Sequence, residues 1–378
     1  MKANLTKKAV ETVPPVKYDT AIENTAKEGM VNEVDIFGNK EYITTTAAIN
    51  FLHLSRHILK KCVDEKKIEE FNVNGKTYYI KDDLEDFMKS ADYETLCNGS
   101  ISARNSLNDL TGKEWIPETK SYFFQKGLGA SSPEAQIEKL HPAPFSFQDI
   151  EKLVLFFTKR GMTVLDPFGG VGSTAKACEK TGRHCISVEL SEKYHGLSIE
   201  RLEKEVGKGC SQHHTFVNED SCVFLPTLET NCVDFMVTSP PYWGILHKQD
   251  QKVKKNRVAN NLDTQYSTDE RDLGNVENYK EFLDILCDKI FMQCARILKR
   301  GKYMAIIVSD FRDKGDFISF HSDLIHELNQ RKIDGGGTLA LQGTKILIQN
   351  HKSLHPYGYP FAYVENIHHQ YVLIFRKK

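Results

Sequence analysis

Short apolar segments alternate with helical patterns over residues 103–378, and this alternation restricts the fold more than any other feature of the chain. Seven segments have the character of strands, at residues 162–166, 185–189, 215–218, 233–237, 303–308, 345–349 and 371–375. Helices that connect successive strands cover the faces of a mainly parallel sheet. We therefore predict an α/β domain with a doubly wound, seven-stranded, Rossmann-like sheet that binds ligands at the carboxyl ends of its strands.

The longest helical pattern covers residues 279–298. Its apolar residues recur with the spacing of one buried helix face. They are Phe282, Leu283, Leu286, Ile290, Cys294 and Ile297. A glycine after the last periodic residue often ends a helix, so the pattern predicts one continuous helix that stops at Gly301.

Residues 41–95 show a smaller pattern of their own, preceded by a polar segment at residues 1–40 that we expect to be a loosely ordered arm. Hydroxyl residues precede a short helix near residue 47, and Ser55 precedes a second helix at residues 56–64. Residues 71–80 then alternate about Asn74-Gly75, a pair typical of tight hairpins, and a third helix pattern follows. This order resembles the winged helix-turn-helix of the MerR and excisionase type.

Composition limits where a chain like this can function. It has 378 residues, a net charge of −1 and nine cysteines without a Cys-x-x-Cys pair, which indicates a reducing compartment. Neither a long apolar stretch nor a leader-like segment is present, so we expect a cytoplasmic protein without membrane contact. Cys210, His213 and His214 are close in sequence, but a structural zinc site needs four ligands, and we expect no metal.

A glycine-rich segment follows the first predicted strand of the large domain. It reads Asp166-Pro167-Phe168-Gly169-Gly170-Val171-Gly172-Ser173-Thr174. Glycines at a strand-to-helix turn let the backbone approach a nucleotide-like ligand closely. The segment lacks the Gly-Lys-Ser/Thr of a triphosphate-binding loop, so we expect a different ligand of this general kind.

Acidic residues stand at the ends of the next two strands. Glu189 follows Asp166 by 23 residues, where a carboxylate would accept hydrogen bonds from ribose hydroxyls. Asp220 follows the third strand and is a candidate for the amino group of an adenine. Each carboxylate could instead cap the next helix, but three such features on successive strand ends favour a ligand site.

The segment Ser239-Pro240-Pro241-Tyr242-Trp243 follows the fourth strand. Its prolines fix φ and remove two N–H donors, which leaves a stiff loop with exposed carbonyl groups. The Ser239 hydroxyl and the Pro240 carbonyl can accept hydrogen bonds from an amine. Tyr242 offers a ring face for a flat base, and Trp243 a second wall; the alternative is a stiff turn before core aromatics.

Together, the glycine segment and Ser-Pro-Pro-Tyr resemble S-adenosylmethionine-dependent DNA amino-methyltransferases of the N4-cytosine and N6-adenine family. The resemblance extends over most of residues 105–378 and implies S-adenosylmethionine as the cofactor and a flipped base as the substrate. It assigns catalysis to Ser239, Pro240, Pro241 and Tyr242. It assigns cofactor binding to Asp166, Phe168, Gly169, Gly170, Gly172, Ser173, Thr174, Glu189 and Asp220, and to Pro144 and Phe145 in an upstream segment.

The target base follows from a preference within this family. Serine at the first position is commoner among N4-cytosine enzymes, so we expect N4 of cytosine, with N6 of adenine as the alternative. Relatives with Asn-Pro-Pro-Tyr methylate glutamine in release factors, and this chain lacks that asparagine. A DNA-binding regulator without catalysis, or an enzyme that acts on RNA, would also fit these residues.

No large insert separates the cofactor segments from the catalytic segment, so sequence-reading residues must lie elsewhere. One candidate is the second helix of residues 41–95, with Arg56, His57, Lys60 and Lys61. The second candidate is the polar loop 244–275, with Lys252, Lys254, Lys255 and Arg257. Both could simply be solvated surface. Duplex DNA is the expected partner, and a companion restriction endonuclease would fit a restriction-modification role.

Overall fold

The computed structural model describes residues 40–125, 135–138, 140–141, 146–244, 269–350 and 352–378. The predicted arm up to residue 39 lies outside the described residues. So do six predicted site residues: Pro144, Phe145, Lys252, Lys254, Lys255 and Arg257. The chain divides into two compact units, Met1–Ser100 and Ile101–Lys378. Within the described ranges, every helix is too short or too polar to cross a membrane.

The first unit contains three short strands and four helices in its described part. The strands β1–β3 are Tyr42–Thr44, Phe71–Val73 and Lys76–Ile80, and they form an antiparallel sheet in the order β1-β3-β2. The helices α1–α4 are Thr45–Leu52, Arg56–Asp64, Lys81–Met88 and Ala91–Asn98. The two helices, the hairpin and the helix after it lie where the sequence predicts them, whereas β1 and α4 were not predicted.

Local sequence explains the ends of these elements. Thr44 and Ser55 cap α1 and α2 with their side-chain oxygens. Asn74 and Gly75 adopt φ of 50° and 79° between β2 and β3, as a tight hairpin turn requires. The apolar sides of the elements pack into one cluster that includes Ala48, Leu52, Leu59, Leu84 and Phe87. This unit therefore has a hydrophobic core of its own.

The second unit is built on a sheet of eight strands in the part that the structure describes. The described part of this unit has ten strands, eight in the sheet and two in a separate hairpin. In chain order they are β4 Tyr122–Phe124, β5 Thr163–Asp166, β6 His184–Glu189, β7 Thr215–Asn218, β8 Val233–Thr238, β9 Leu298–Val308, β10 Phe311–Asp313, β11 Asp316–Ile318, β12 Leu339–Ile348 and β13 His369–Lys377. The sheet order is β4-β12-β13-β9-β8-β5-β6-β7, and β10 with β11 forms a separate hairpin. Among the described strands of this sheet, β13 alone runs antiparallel to its neighbours.

The predicted count of seven strands was wrong by one. Each predicted segment is a strand, and the additional strand is β4, which pairs in parallel with Ile346–Ile348 at the edge of the sheet. Three residues are too few to show a period-two pattern, so pairing with β12 rather than local sequence defines this strand.

Helices cover both faces of the sheet. They are α5 Gly112–Glu118, α6 Ala135–Glu138, α7 Phe147–Phe157, α8 Ser173–Thr181, α9 Glu192–Glu205, α10 Ser221–Phe224, α11 Tyr279–Asp284, α12 Met292–Ile297 and α13 Phe320–Gln330. Successive strand residues point to opposite faces. Accordingly, Met236 of β8 belongs to one hydrophobic cluster, and Phe235 and Val237 belong to another. The sheet is therefore doubly wound, as the alternating sequence pattern predicts.

The helix predicted over residues 279–298 is present as one unbroken helical run, 279–297, in which a π-helical segment, Ile285–Phe291, joins α11 to α12. The chain becomes extended directly after Ile297. The Lys377 ammonium at the end of β13 donates to the Leu298 carbonyl at 2.7 Å. The prediction that Gly301 ends the helix was wrong because Gly301 already lies within β9.

Candidate active site

One cleft lies at the carboxyl ends of β5, β6, β7 and β8, and it encloses about 920 Å³ including the solvent at its mouth. Ten predicted site residues line it: Phe168, Gly169, Gly170, Ser173, Glu189, Asp220, Ser239, Pro240, Pro241 and Tyr242. The fold therefore brings the glycine segment, both strand-end carboxylates and the Ser-Pro-Pro-Tyr segment to a single cavity.

Asp166 is buried beneath the glycine segment and is not among the residues that line the cleft. Its carboxylate accepts hydrogen bonds from the Thr174 hydroxyl at 2.5 Å, the Thr238 hydroxyl at 2.6 Å and the Phe168 amide at 3.0 Å. Burial raises the pKa of Asp166, while these three donors oppose that shift. Asp166 and Thr174 thus fix the segment to the ends of β5 and β8.

Gly172 also lies below the surface of the cleft, where the glycine segment packs against α9. It adopts φ of 78° at the beginning of α8, a conformation that L side chains rarely adopt. A Cβ atom there would lie 2.9 Å from the Cβ and 3.1 Å from the Cα of Ser198 in α9. A larger residue would push α8 and α9 apart, so this glycine is required by packing.

Glu189 links the glycine segment to the end of β6. Its two carboxylate oxygens accept hydrogen bonds from the Gly170 amide and the Ser191 amide, both at 2.8 Å. Burial raises the pKa of Glu189 to about 7. Each carboxylate oxygen can accept more than one hydrogen bond, so this group can also receive the hydroxyls of a ligand in the cleft.

Asp220 caps a helix and also lies at the surface of the cleft. Its carboxylate accepts a hydrogen bond from the Cys222 amide at 2.8 Å and so caps the short helix α10. It also lines the cleft. Capping orients the side chain at the end of β7 and leaves it next to any ligand bound there.

Ser239–Tyr242 extends from β8, a strand whose six residues are all buried. The Tyr242 hydroxyl accepts a hydrogen bond from Gln370 Nε2 at 3.2 Å, and its ring lies edge-on to Phe320 with centroids 6.1 Å apart. Burial raises the pKa of the Tyr242 phenol, so it remains neutral at physiological pH. Tyr242 is therefore a fixed, uncharged part of the cleft wall.

Trp243 does not form the second wall predicted for it. Its indole N–H donates to the Val276 carbonyl at 2.8 Å, and its ring lies 5.2 Å from Tyr279 and 6.4 Å from Phe311. It packs against the hydrophobic cluster and is not among the residues that line the cleft. A large ring with one donor is well suited to such a core position.

Sequence reasoning missed Ser191 and Tyr194, which line the cleft on the β6 side. Ser191 caps α9, and Tyr194 is buried with its ring 4.7 Å from that of His141. All three line the cleft. The capping serine two residues after Glu189 was a usable signal, because it locates the first turn of α9 at the same end of the sheet.

Arg271 was also missed. It lines the cleft and forms ion pairs with Asp269 at 2.7 Å and Glu219 at 3.1 Å. Asp272 and Leu273 line the cleft beside it. These residues follow the segment 245–268, which is outside the described residues, and no periodic pattern in the sequence indicates that the chain returns to the sheet edge here.

The predicted DNA-binding side chains of the first unit are all on the surface of that unit. Arg56, His57, Lys60 and Lys61 of α2 are exposed, and Lys61 lies 3.7 Å from Glu65. The opposite side of α2 buries Leu59 and Cys62 in the core.

Cys210 and His213 meet a third potential metal ligand, Glu179 of α8. The ligand atoms of the three side chains lie within 4.8 Å of one another, and His213 Nδ1 is 3.0 Å from Glu179 Oε1. His214 instead accepts a hydrogen bond from the Cys185 amide and contacts Glu179 with its other nitrogen. The sequence grouping of Cys210 with His213 and His214 therefore differs from the spatial one.

A sequence model of a family described as DNA methylase (N6_N4_Mtase) matches residues 36–200 of this chain. The matched part is less than half of the 378 residues. It includes the glycine segment and Glu189, and it ends before Ser239.

Local matches to curated proteins are likewise to a methylase and a methyltransferase. The chain is 34% identical over 82 residues to the putative methylase YubD of Escherichia coli (strain K12), covering 21% of this chain and 36% of YubD. It is 35% identical over 87 residues to the Type II methyltransferase M.ScaI of Streptomyces caespitosus, covering 23% of this chain and 29% of M.ScaI. The chain thus spans about a third of the length of these relatives.

Among solved structures, the alignment with TrmN from Thermus thermophilus covers 61% of this chain and 48% of the TrmN chain, with 16% identity and a TM-score of 0.37. A putative DNA modification methylase from the same species, TTHA0409, covers 42% and 50%, with 20% identity and a TM-score of 0.26. Similarity of this extent adds nothing about function.

Proposed function

We propose that this chain is an S-adenosylmethionine-dependent methyltransferase that modifies an exocyclic amine of a base in duplex DNA, with N4 of cytosine as the target. One observation carries the proposal: Glu189 and Ser239 line the same cleft, at the ends of two strands. The first would bind the nucleoside part of a cofactor, and the second belongs to a segment suited to hold an amine. The matched DNA methylase family supports the same interpretation.

The residues present fit S-adenosylmethionine, whose sulfonium methyl is the group to be transferred. Glu189 would accept the ribose hydroxyls, since a partly buried carboxylate is a strong acceptor. Gly169 and Gly170 allow close approach of the backbone, and Asp220 would accept from the adenine amino group. His141 lines the same cleft and begins the upstream segment that contains Pro144 and Phe145, which we propose for the methionine end of the cofactor.

The Ser-Pro-Pro-Tyr segment would prepare the base for reaction. An exocyclic amine is a weak nucleophile because its lone pair is delocalised into the ring. Ser239 Oγ and the Pro240 carbonyl would accept hydrogen bonds from the two N–H groups of the amine. These bonds would make the nitrogen more tetrahedral and would direct its lone pair at the methyl group. Tyr242, held by Gln370, would stack on the extruded base. Positioning and electrostatics thus supply the acceleration.

The serine at position 239 supports cytosine over adenine as the target, through the family preference described above. The proposal is tested by mass spectrometry of nucleosides from mixed-sequence duplex DNA treated with the protein and labelled S-adenosylmethionine. Labelled N4-methylcytosine is expected. N6-methyladenine would retain the chemistry and change the base, and no label despite measurable cofactor binding would contradict a DNA methyltransferase and favour a non-catalytic binder or an RNA enzyme.

We further propose that the first unit is a winged helix-turn-helix that contacts DNA through the exposed face of α2. Replacing Arg56 and Lys60 by alanine should remove about two phosphate contacts and lower the salt dependence of DNA binding accordingly. Lys89→Ala is the matched control, because Lys89 is exposed on the same unit and pairs with Asp86. Equal salt dependence in the double variant and the control would exclude α2 as a DNA contact.

A further inference from the structure

The connection between β12 and β13 holds a group of apolar side chains in solvent. Their exposed fractions are 77% for Leu354, 55% for Tyr357, 80% for Tyr359, 94% for Phe361 and 86% for Tyr363. We refer to residues 352–368 as the aromatic loop. Isolated exposed apolar residues are common, but Tyr357, Tyr359, Phe361 and Tyr363 also line one surface pocket, and such clustering marks a binding surface.

The aromatic loop is held by its own hydrogen bonds. The Asn366 side chain binds both the amide and the carbonyl of His355, at 2.9 and 2.8 Å. The amides of Phe361 and Ala362 both donate to the Gly358 carbonyl at 2.7 Å. Gly358 has φ of 72°, and a Cβ atom there would lie 2.4 Å from the Ala362 carbonyl oxygen. The rings are therefore presented outward by a defined backbone.

The aromatic loop begins and ends at the end of the sheet that carries the proposed base site, where β8 and β9 have their carboxyl ends. β13 is antiparallel to both β12 and β9, so β12 ends at the same edge as β8 and β9. Where the loop enters β13, Gln370 donates to the Tyr242 hydroxyl at 3.2 Å. The adjacent His369 carbonyl accepts from the Ser309 hydroxyl at 3.3 Å. The loop is thus continuous with the wall that holds Tyr242.

The aromatic loop carries little negative charge. Over residues 352–368 its one acidic residue, Glu365, is offset by Lys352, and the other side chains are uncharged or histidines. Apolar rings with few negative charges can approach DNA without strong repulsion from the phosphates.

We propose that the aromatic loop is a DNA contact surface that stacks on the bases next to the extruded target. This inference rests on the proposed function, because base extrusion leaves unstacked neighbours at the mouth of the cleft. Aromatic and apolar side chains replace the lost base stacking by stacking on the bases themselves or by inserting between them. Phe361 and Tyr363, the two most exposed rings, are the principal contacts.

The test compares Phe361→Ala with Phe361→Tyr, which keeps the ring. Loss of one stacked ring should weaken DNA binding about 10- to 100-fold, and raise KM for DNA similarly. Phe361→Tyr should bind like the unmodified protein. Cofactor affinity and Tm should not change in either variant, because this side chain is 94% exposed. Ile116→Ala, at a position 69% exposed on α5, is the control for removal of an exposed apolar side chain.

The outcomes separate this inference from the proposed function. Unchanged DNA affinity of both Phe361→Ala and Tyr363→Ala would overturn the inference, even if methylation proceeds normally. If the unmodified protein leaves DNA unmethylated yet binds it, weaker binding by Phe361→Ala would still support the contact surface. Two further results would overturn it: binding of structured RNA but not of DNA, or sedimentation showing that Phe361→Ala dissociates a dimer of this chain.

Discussion

The proposed cofactor side of the cleft is held mainly by hydrogen bonds between residues close together in sequence, whereas the proposed base side is closed by residues from distant parts of the chain. On the first side, Asp166 binds Thr174 eight residues away, and Gly170 binds Glu189 nineteen residues away. On the second, Tyr242 is bound by Gln370, 128 residues away. A short contiguous arrangement leaves a clear sequence signature, and a long-range one does not.

The matched family follows the same division. The DNA methylase match includes the cofactor side and ends before Ser239. The residues proposed to hold the base, 239–242, and the aromatic loop lie beyond it. We therefore expect substitutions on the two sides to separate cofactor binding from chemistry and DNA binding, and the following experiments can break or sharpen that separation.

The largest effect is expected from Ser239→Ala. Removal of one preorganised polar partner of the reacting group should lower kcat about 10²- to 10³-fold. The Kd for S-adenosylmethionine, measured by calorimetry, should stay within error of the unmodified protein. Ser322→Ala, at an exposed serine on α13, is the control. A collapse of cofactor affinity in Ser239→Ala would show that the two sides are not separable.

Glu189→Gln should weaken cofactor binding, because Glu189 lies on the proposed cofactor side of the cleft. The amide loses charge-assisted hydrogen bonds to the ribose and cannot accept from both the Gly170 and Ser191 amides. The Kd for the cofactor should rise about 10- to 100-fold. Glu192→Gln, an exposed carboxylate three residues away, should bind normally. Equal affinities of the two variants would remove Glu189 from the cofactor site.

Cofactor binding should also depend on pH through Glu189. Its raised pKa, about 7, means that the carboxylate is ionised above neutrality and protonated below it. If only the ionised form accepts both ribose hydroxyls, affinity falls as pH decreases from 8 to 6, by at most about tenfold per unit. The same titration with Glu189→Gln corrects for ionisation of the ligand, and parallel curves for both proteins would contradict this prediction.

The smallest effect is expected from Tyr242→Phe. The variant keeps the stacking ring but removes the hydroxyl that accepts from Gln370. KM for DNA should rise about 3- to 10-fold, the usual contribution of one neutral hydrogen bond, while cofactor affinity stays constant. Tyr122→Phe, in the edge strand β4, is the control. If KM for DNA is unchanged, the hydrogen bond to Gln370 has no part in orienting the base.

How far the sequence could be interpreted differed between individual elements. The hairpin at Asn74-Gly75 and the glycine segment depend on backbone conformations that few residues adopt, so their positions could be predicted. The end of the 279–298 helix could not, because pairing of Leu298 with Val233 begins a strand before Gly301 is reached. Trp243 shows the same limit, since neighbours distant in sequence decide whether an aromatic residue faces a cleft or a core.

The sequence by itself determined the alternation of strands and helices, the glycine turn and the carboxylates at successive strand ends, because these follow from local periodicity and backbone restrictions. Only the tertiary structure decided that Asp166 and Thr174 support the cleft from below while Tyr194 and Arg271 line it. It also brought the aromatic loop to the edge that holds Tyr242. These positions result from strand order, and strand order is set by packing between segments that are far apart in the chain.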